Sequence, residues 1–174
     1  MRLTGGTLRG RVVPGRVPGG VRPTSAKVRE ALFSMIGHDL SGWTVLDAFG
    51  GSGLLGFESF SRGADVLIVE KRAPVARQIQ KAARTLGADV TVRCADAERV
   101  LQEGQQWDVV LMDPPYALSA EEWVTHGAPC ARVWLVIEHA STQAPPDAVG
   151  DLHLDRRRRY GDTTLSLYHR PEQG

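Results

Sequence analysis

The chain is poor in cysteine and in long apolar runs, and its first 29 residues contain no acidic side chain. Its two cysteines, Cys94 and Cys130, show no CxxC spacing, which suits a reducing compartment and argues against a structural zinc site. His38, His126, His139, His153 and His169 show no ligand spacing either, so no metal is expected. No uninterrupted apolar run exceeds the five residues of 133–137, which leaves no candidate for a membrane span or a secretory segment. A cytoplasmic protein, monomeric by default, is expected.

What is present describes an ordinary globular protein. At 174 residues, 42% apolar and 24% charged, the chain is long enough for one domain with a substantial core. The formal net charge of +1 conceals an uneven distribution. Residues 1–29 carry seven basic side chains, Arg2, Arg9, Arg11, Arg16, Arg22, Lys27 and Arg29, whereas the remainder holds 14 basic against 20 acidic residues. A second cluster, Arg156-Arg157-Arg158-Arg159, lies near the carboxyl end. One basic tract reads as a solvated arm; two on an acidic body read as the footprint of a polyanion, and nucleic acid is the expected partner.

Residues 1–23 form a Gly/Arg-rich basic arm punctuated by Pro14, Pro18 and Pro23, expected to be largely mobile without its partner apart from a short strand at 11–13. The domain proper is expected at 24–174. Thr24 or Ser25 caps a helix with Val28, Leu32, Met35 and Ile36 at helical spacing, and Gly37 ends it. Strands are expected at 44–49, 66–70, 90–93, 109–112 and 133–138, alternating with helices at 54–62, 74–86, 97–102 and 120–125. The strands are continuously apolar and therefore covered on both faces. That predicts a doubly wound α/β domain with a mostly parallel, Rossmann-like sheet. Residues 152–154 and 163–168 read as a C-terminal antiparallel hairpin turning at Gly161-Asp162.

The apolar run Val109-Val110-Leu111-Met112 ends at Asp113-Pro114-Pro115-Tyr116. Two prolines cannot extend a ladder, so the strand stops with a carboxylate, rigid carbonyls and an aromatic ring at its end. That set grips a flat ring bearing an exocyclic amine, by hydrogen bonds to the NH2 and stacking on its face. A strand merely terminated by proline is the structural alternative.

After the first strand comes Asp47-Ala48-Phe49-Gly50-Gly51-Ser52-Gly53-Leu54-Leu55-Gly56. Gly51, Gly53 and Gly56 match GxGxxG, and Glu70 stands 19 residues beyond Gly51, so a dinucleotide and an NAD oxidoreductase are open readings. Asp47 favours another cofactor, because a carboxylate before the loop repels a pyrophosphate. S-adenosylmethionine has no phosphate and carries an ammonium and a sulfonium. Glu70 would then accept from its ribose hydroxyls, and Asp96 from its adenine amine, with the Ala97 N–H alongside. Phe49, Ser52 and Lys71 complete the candidate cofactor set with Asp47, Gly51, Gly53, Glu70, Asp96, Ala97 and Asp113. Asp96 also suits a helix cap. Methyl transfer is preferred, to adenine N6, cytosine N4 or guanine N2; a non-catalytic RNA-binding assembly factor is the reading outside enzymes.

The combined motifs are more specific. Arg22-Pro23-Thr24, Val28-Arg29-Glu30-Ala31-Leu32-Phe33, Leu46 to Gly53, Gly56-Phe57-Glu58, Ser61-Arg62-Gly63-Ala64, Asp113-Pro114-Pro115-Tyr116 and Tyr160-Gly161-Asp162-Thr163 together resemble the RsmD family. The opening, with Gly5-Gly6 and Arg9-Gly10-Arg11, is similar to that family's amino terminus. The resemblance implies an S-adenosylmethionine-dependent enzyme that methylates N2 of one guanine in 16S ribosomal RNA of the small subunit. Asp113, Pro114, Pro115 and Tyr116 would be catalytic, and Arg2, Arg9, Arg11, Arg16, Arg22, Lys27 and Arg29 would bind RNA. Two departures stand out: Gly50 replaces the family's more usual alanine, and residues 117–132 form a shorter stretch. Removal of residues 1–20 is expected to weaken RNA binding and to spare cofactor affinity.

Overall fold

Eight strands and five α-helices form among the residues described in the computed structural model: 1–17, 19, 23–115 and 118–172. The architecture is α/β, with mostly parallel strands followed by antiparallel C-terminal ones. Two compact units divide the chain at Ala97/Glu98.

In the first unit, Ser25 caps α1 (Ala26–Ile36) by accepting from the Val28 N–H at 3.3 Å. The strands β1 (Thr44–Asp47), β2 (Asp65–Glu70) and β3 (Thr91–Cys94) run parallel in the order β3-β2-β1. Val45, Leu46, Ile68 and Val69 are fully buried, each contributing roughly 1.5–3 kcal/mol by leaving water. The strand β1 ends two residues before the expected 49, because the chain turns there into the glycine loop and α2 (Leu54–Ser61). The helix α3 (Ala73–Leu86) has Pro74 in its first turn and buries Ala76, Ile79, Ala83 and Leu86 along one stripe. Gly87 terminates it in the left-handed conformation at φ 66°, its N–H reaching the Ala83 carbonyl.

The amino-terminal arm does not hang free as expected. Leu3 donates to the Arg11 carbonyl at 2.9 Å, and Gly10 returns a bond to Leu3 at 2.8 Å, closing a hairpin. Leu3 and Val13 are buried, and the Thr7 N–H bonds the Ser61 carbonyl at 2.7 Å. Gly6, at φ 76°, lies so close to the Ser61 carbonyl that any Cβ would collide with it. Apolar burial and backbone pairing thus order a segment whose composition alone suggested mobility.

The second unit holds α4 (Ala97–Leu101, beginning at the junction), β4 (Trp107–Met112), α5 (Ala120–Gly127) and β5 (Ala131–Ala140), then β6 (Ala148–Val149), β7 (Leu152–Tyr160) and β8 (Thr163–His169). Its strand order is β4-β5-β8-β7-β6, with β4 and β5 parallel and the rest antiparallel. Ser119 caps α5 by accepting from Glu122 N–H, and Gly127 lets that helix sit against Met112 and Leu135. The hairpin forms where expected, but β7 runs through the arginine run, because residues 156–160 pair with β8.

Candidate functional site

The cofactor candidates of the first unit gather where β1, β2 and β3 end. Asp47 is the last residue of β1 and is buried. Its Oδ2 accepts from the Gly56 N–H at 3.1 Å, whereas its Oδ1 is buried with no hydrogen-bond partner. Burial pushes this carboxyl up to about 8, with repulsion from Glu70 adding to the shift and backbone donors at Gly56 and Phe49 opposing it. A buried carboxyl with one unsatisfied oxygen ionises beside a cationic ligand group, which offsets its desolvation, whereas a pyrophosphate would hold it in the neutral acid form. The donor set therefore fits S-adenosylmethionine better than a dinucleotide.

The loop itself is shaped by Gly51 and Gly53, at φ 56° and 81°. A Cβ on Gly53 would stand 2.7 Å from the Phe57 ring, so the residue that opens α2 must be glycine on both conformational and steric grounds. Glu70 tightens the loop: its Oε1 accepts from Gly51 N–H at 3.1 Å and its Oε2 from Arg72 N–H at 2.7 Å. The Arg72 side chain faces both oxygens as well, Nη2 reaching Oε1 at 3.4 Å, so a ribose hydroxyl would have to displace these longer contacts. Arg72, absent from the expected set, also pairs with Glu70 through Nε at 3.3 Å. Asp96 lies just before α4, beside Ala97, and pairs with Lys71 at 3.6 Å across exposed surface, an interaction worth little by itself. Phe49 and Ser52 are half-buried in the loop.

In the second unit, Asp113 follows β4 directly and is half-buried, Pro114 is buried and Pro115 exposed. Tyr116 lies outside the described residues, as does Arg22. Cys130 is a buried thiol, donating to the Leu101 carbonyl at 3.1 Å and pushed up by burial, which leaves it a packing residue. Among the described residues no cluster of three or more metal-ligating side chains forms, and no helix is long and apolar enough to cross a membrane.

Of the expected RNA-contacting residues, Arg2, Arg9, Arg11, Arg16 and Lys27 are exposed. Arg29 is not, and that expectation is corrected: its side chain is 2% exposed and engaged inside the protein. It donates to the Thr24 carbonyl at 2.6 Å and the Arg2 carbonyl at 2.7 Å, and pairs with Glu58 at 3.3 Å. Glu58 is wholly buried in α2 and also accepts from Thr4 N–H at 2.7 Å and Thr4 Oγ1 at 2.8 Å. Arg62, one turn on, pairs with the other Glu58 oxygen at 3.5 Å, stacks over Phe33 at 4.5 Å and reaches Thr4 Oγ1 at 3.1 Å. The Glu58–Arg62 pair had a sequence signature in its i,i+4 spacing. The role of Arg29 had none, because charge alone does not say which arginine faces inward.

The chain is similar to known proteins over nearly its whole length. The family described as conserved hypothetical protein 95 matches residues 1–169. Ribosomal RNA small subunit methyltransferase D of Escherichia coli K12 is 31% identical over 182 residues, covering 100% of this chain and 92% of its own. A candidate rRNA methyltransferase of Bacillus subtilis, YlbH, is also 31% identical, over 97% of this chain and 98% of its own. The solved structure of a candidate methyltransferase, yhhF of Escherichia coli, superposes with a TM-score of 0.83 at 30% identity, covering 99% of each chain.

Proposed function

Because the chain belongs to the family described as conserved hypothetical protein 95, we propose that it is an S-adenosylmethionine-dependent methyltransferase acting on 16S ribosomal RNA of the small subunit. The acceptor in this reading is the exocyclic N2 amine of one guanine, and the enzyme works as a cytoplasmic monomer. The observation that carries the cofactor assignment is the buried Asp47 carboxylate, with an unpartnered oxygen, beside a glycine loop.

S-adenosylmethionine, when bound, supplies an electrophilic methyl group on a sulfonium. The chain's own residues do the rest. Asp47 would face the ammonium, Glu70 the ribose hydroxyls, and Asp96 with the Ala97 N–H the adenine edge. Phe49, Gly51, Ser52, Gly53 and Lys71 would complete the cofactor contacts of the first unit. The N2 lone pair of guanine is delocalised into its ring, so the amine is a poor nucleophile as it stands. Asp113 and the Pro114 carbonyl accept the amine hydrogens and turn the lone pair toward the methyl group. Pro115 keeps that backbone rigid and Tyr116 stacks on the base. Alignment of the amine would account for much of the acceleration with no covalent enzyme intermediate, and the excess amine proton would pass to solvent after transfer. A base inside folded RNA is splayed out to reach such a site, while exposed Arg2, Arg9, Arg11, Arg16 and Lys27, with Arg22, hold phosphates and supply affinity more than sequence choice.

The test uses labelled S-adenosylmethionine, small subunits lacking the modification, and nucleoside mass spectrometry of the product. The wild-type chain is expected to yield N2-methylguanine, and Asp113→Ala to lower kcat by at least about a hundredfold, the scale of a lost electrostatic contact at a reacting group. Label on adenine or cytosine would identify a different amino-methyltransferase. Equal activity in the variant would remove Asp113 from the chemistry.

A further inference from the structure

The second unit carries a basic strip of its own. It holds seven basic against twelve acidic side chains, and four of those seven occupy consecutive positions of β7. The four are not equivalent. Arg157 turns inward: it donates to Ser166 Oγ at 2.9 Å and to the Pro145 carbonyl at 2.6 Å, and Ser166 in turn bonds the buried His139 at 2.7 Å. Arg159 donates through Nε to the Gly161 carbonyl at 2.9 Å at the hairpin turn.

Arg156 and Arg158 lie opposite Leu167 and Leu165 of β8, so the two share one face, about 7 Å apart along the strand. Both are exposed. Their cross-strand neighbours are core leucines, and an apolar residue would ordinarily continue such a face. The short β6 pairs with β7 only at Leu152 and His153, and beyond them no other strand among the described residues covers that edge along 155–160. The Arg156 ion pair with adjacent Asp155, at 3.4 Å across exposed surface, is weak enough to yield to a stronger anion.

We propose that Arg156 and Arg158 form a second contact to the RNA backbone, independent of the amino-terminal arm. The assignment rests on the RNA-methyltransferase reading above. Charge on an edge strand also guards against unwanted strand pairing, a role that lysine fills most often and that needs no guanidinium fork. An otherwise acidic unit places two arginines here, on a face its neighbours make apolar, and so presents positive charge and the planar fork that matches phosphate.

The test compares wild type, Arg156→Gln/Arg158→Gln and Arg156→Lys/Arg158→Lys. Affinity is measured for unmodified small subunits and for naked 16S RNA between 50 and 200 mM salt, with cofactor affinity and urea midpoint as controls. Glutamine keeps the edge polar and removes the charge. The expected result is a salt slope shallower by about 1.4–1.8, so that the wild type's advantage over the glutamine variant shrinks about tenfold across that range. Cofactor affinity and kcat at saturating RNA stay unchanged, and the lysine variant keeps the wild-type slope. Wild-type slope in the glutamine variant would reduce the strip to a solvated edge. A lysine variant with the glutamine variant's shallower slope would refute phosphate charge as the cause. Loss confined to intact subunits would assign the strip to a ribosomal protein instead. If the wild type methylates no guanine, the reading beneath the proposal fails; if it does and the glutamine variant binds alike, the strip alone fails.

Discussion

Glu58→Gln removes one charge from the interior of the first unit and leaves two guanidiniums facing it. Glu58 is fully buried, Arg29 and Arg62 are 2% and 4% exposed, and the three come from α1, α2 and the residue that caps α2. The glutamine carbonyl can still accept from Thr4 N–H, so the loss is mostly electrostatic. Removing one partner of a buried pair costs about 3–5 kcal/mol, because the other charge stays desolvated and uncompensated. Arg29 offsets part of this with its bonds to the Thr24 and Arg2 carbonyls, and Arg62 with its stack on Phe33. The lower end, about 3 kcal/mol, is therefore expected, and it lowers Tm by roughly 6–12 °C in a chain of this size. Urea unfolding followed by tryptophan fluorescence should show the midpoint fall with m unchanged. Arg29→Met alone should also destabilise the unit. Combined with Glu58→Gln it should cost less than the two single losses together, by about 1–3 kcal/mol, since the pair is coupled. A glutamine variant within about 0.5 kcal/mol of wild type, the range of an ordinary surface substitution, would show that the triad does not hold the arm as argued.

Asp47 supplies a pH signature in the cofactor-free protein. Its carboxyl is raised to about 8 by burial, so between its ordinary value near 4 and about 8 only the folded chain keeps the proton. Stability must fall as pH rises through that window, by up to about 1.4 kcal/mol per pH unit, and level off above it. Asp47→Asn should flatten the trend between pH 5.5 and 7.5; parallel curves for the two proteins would contradict the assignment. Gly53→Ala combines a left-handed backbone with a Cβ pressed on Phe57, and should cost about 2–3 kcal/mol in urea unfolding while weakening S-adenosylmethionine binding by calorimetry. Wild-type affinity in that variant would show that the loop does not cradle the cofactor.

Periodicity and punctuation carried much of the fold into view. Apolar runs marked the parallel strands, Ser25 and Gly37 bracketed α1, and Gly161-Asp162 marked the hairpin, because each signal lies within or at the end of its own element. The glycine loop and Asp47 were legible for the same reason: a carboxylate at a strand end and glycines at a helix start are adjacent in sequence. What escaped reading depends on distant partners. Thr4, Arg29 and Glu58 are scattered over 54 residues, and only the folded chain shows that one carboxylate serves them all. The arm's composition suggested disorder because its apolar residues are few. Leu3 and Val13 suffice, since Glu58 and Ser61 satisfy the backbone and hydroxyl donors between them. In the same way the arginine run gave no hint that Arg157 alone turns to Ser166.

The arm and the cofactor loop meet on a single helix, and that changes which perturbation separates RNA binding from cofactor binding. Gly53 opens α2 at the loop, Gly56 donates to Asp47, and Glu58 and Ser61 hold the arm two turns or less farther on. Removing residues 1–20 therefore deprives a buried carboxylate of Thr4 and exposes the apolar surface that Leu3 and Val13 cover. Cofactor affinity is expected to fall along with RNA affinity, contrary to what composition alone suggests. Arg9→Gln/Arg11→Gln is the clean alternative, because both side chains are exposed and their backbone bonds survive the change. That variant should lose RNA affinity with a salt slope shallower by about 1.4–1.8, keep wild-type cofactor affinity, and unfold at the wild-type midpoint. If it binds unmodified small subunits as tightly as wild type at every salt concentration, the arm's ordered arginines are not phosphate ligands, and the Glu58 network serves stability alone.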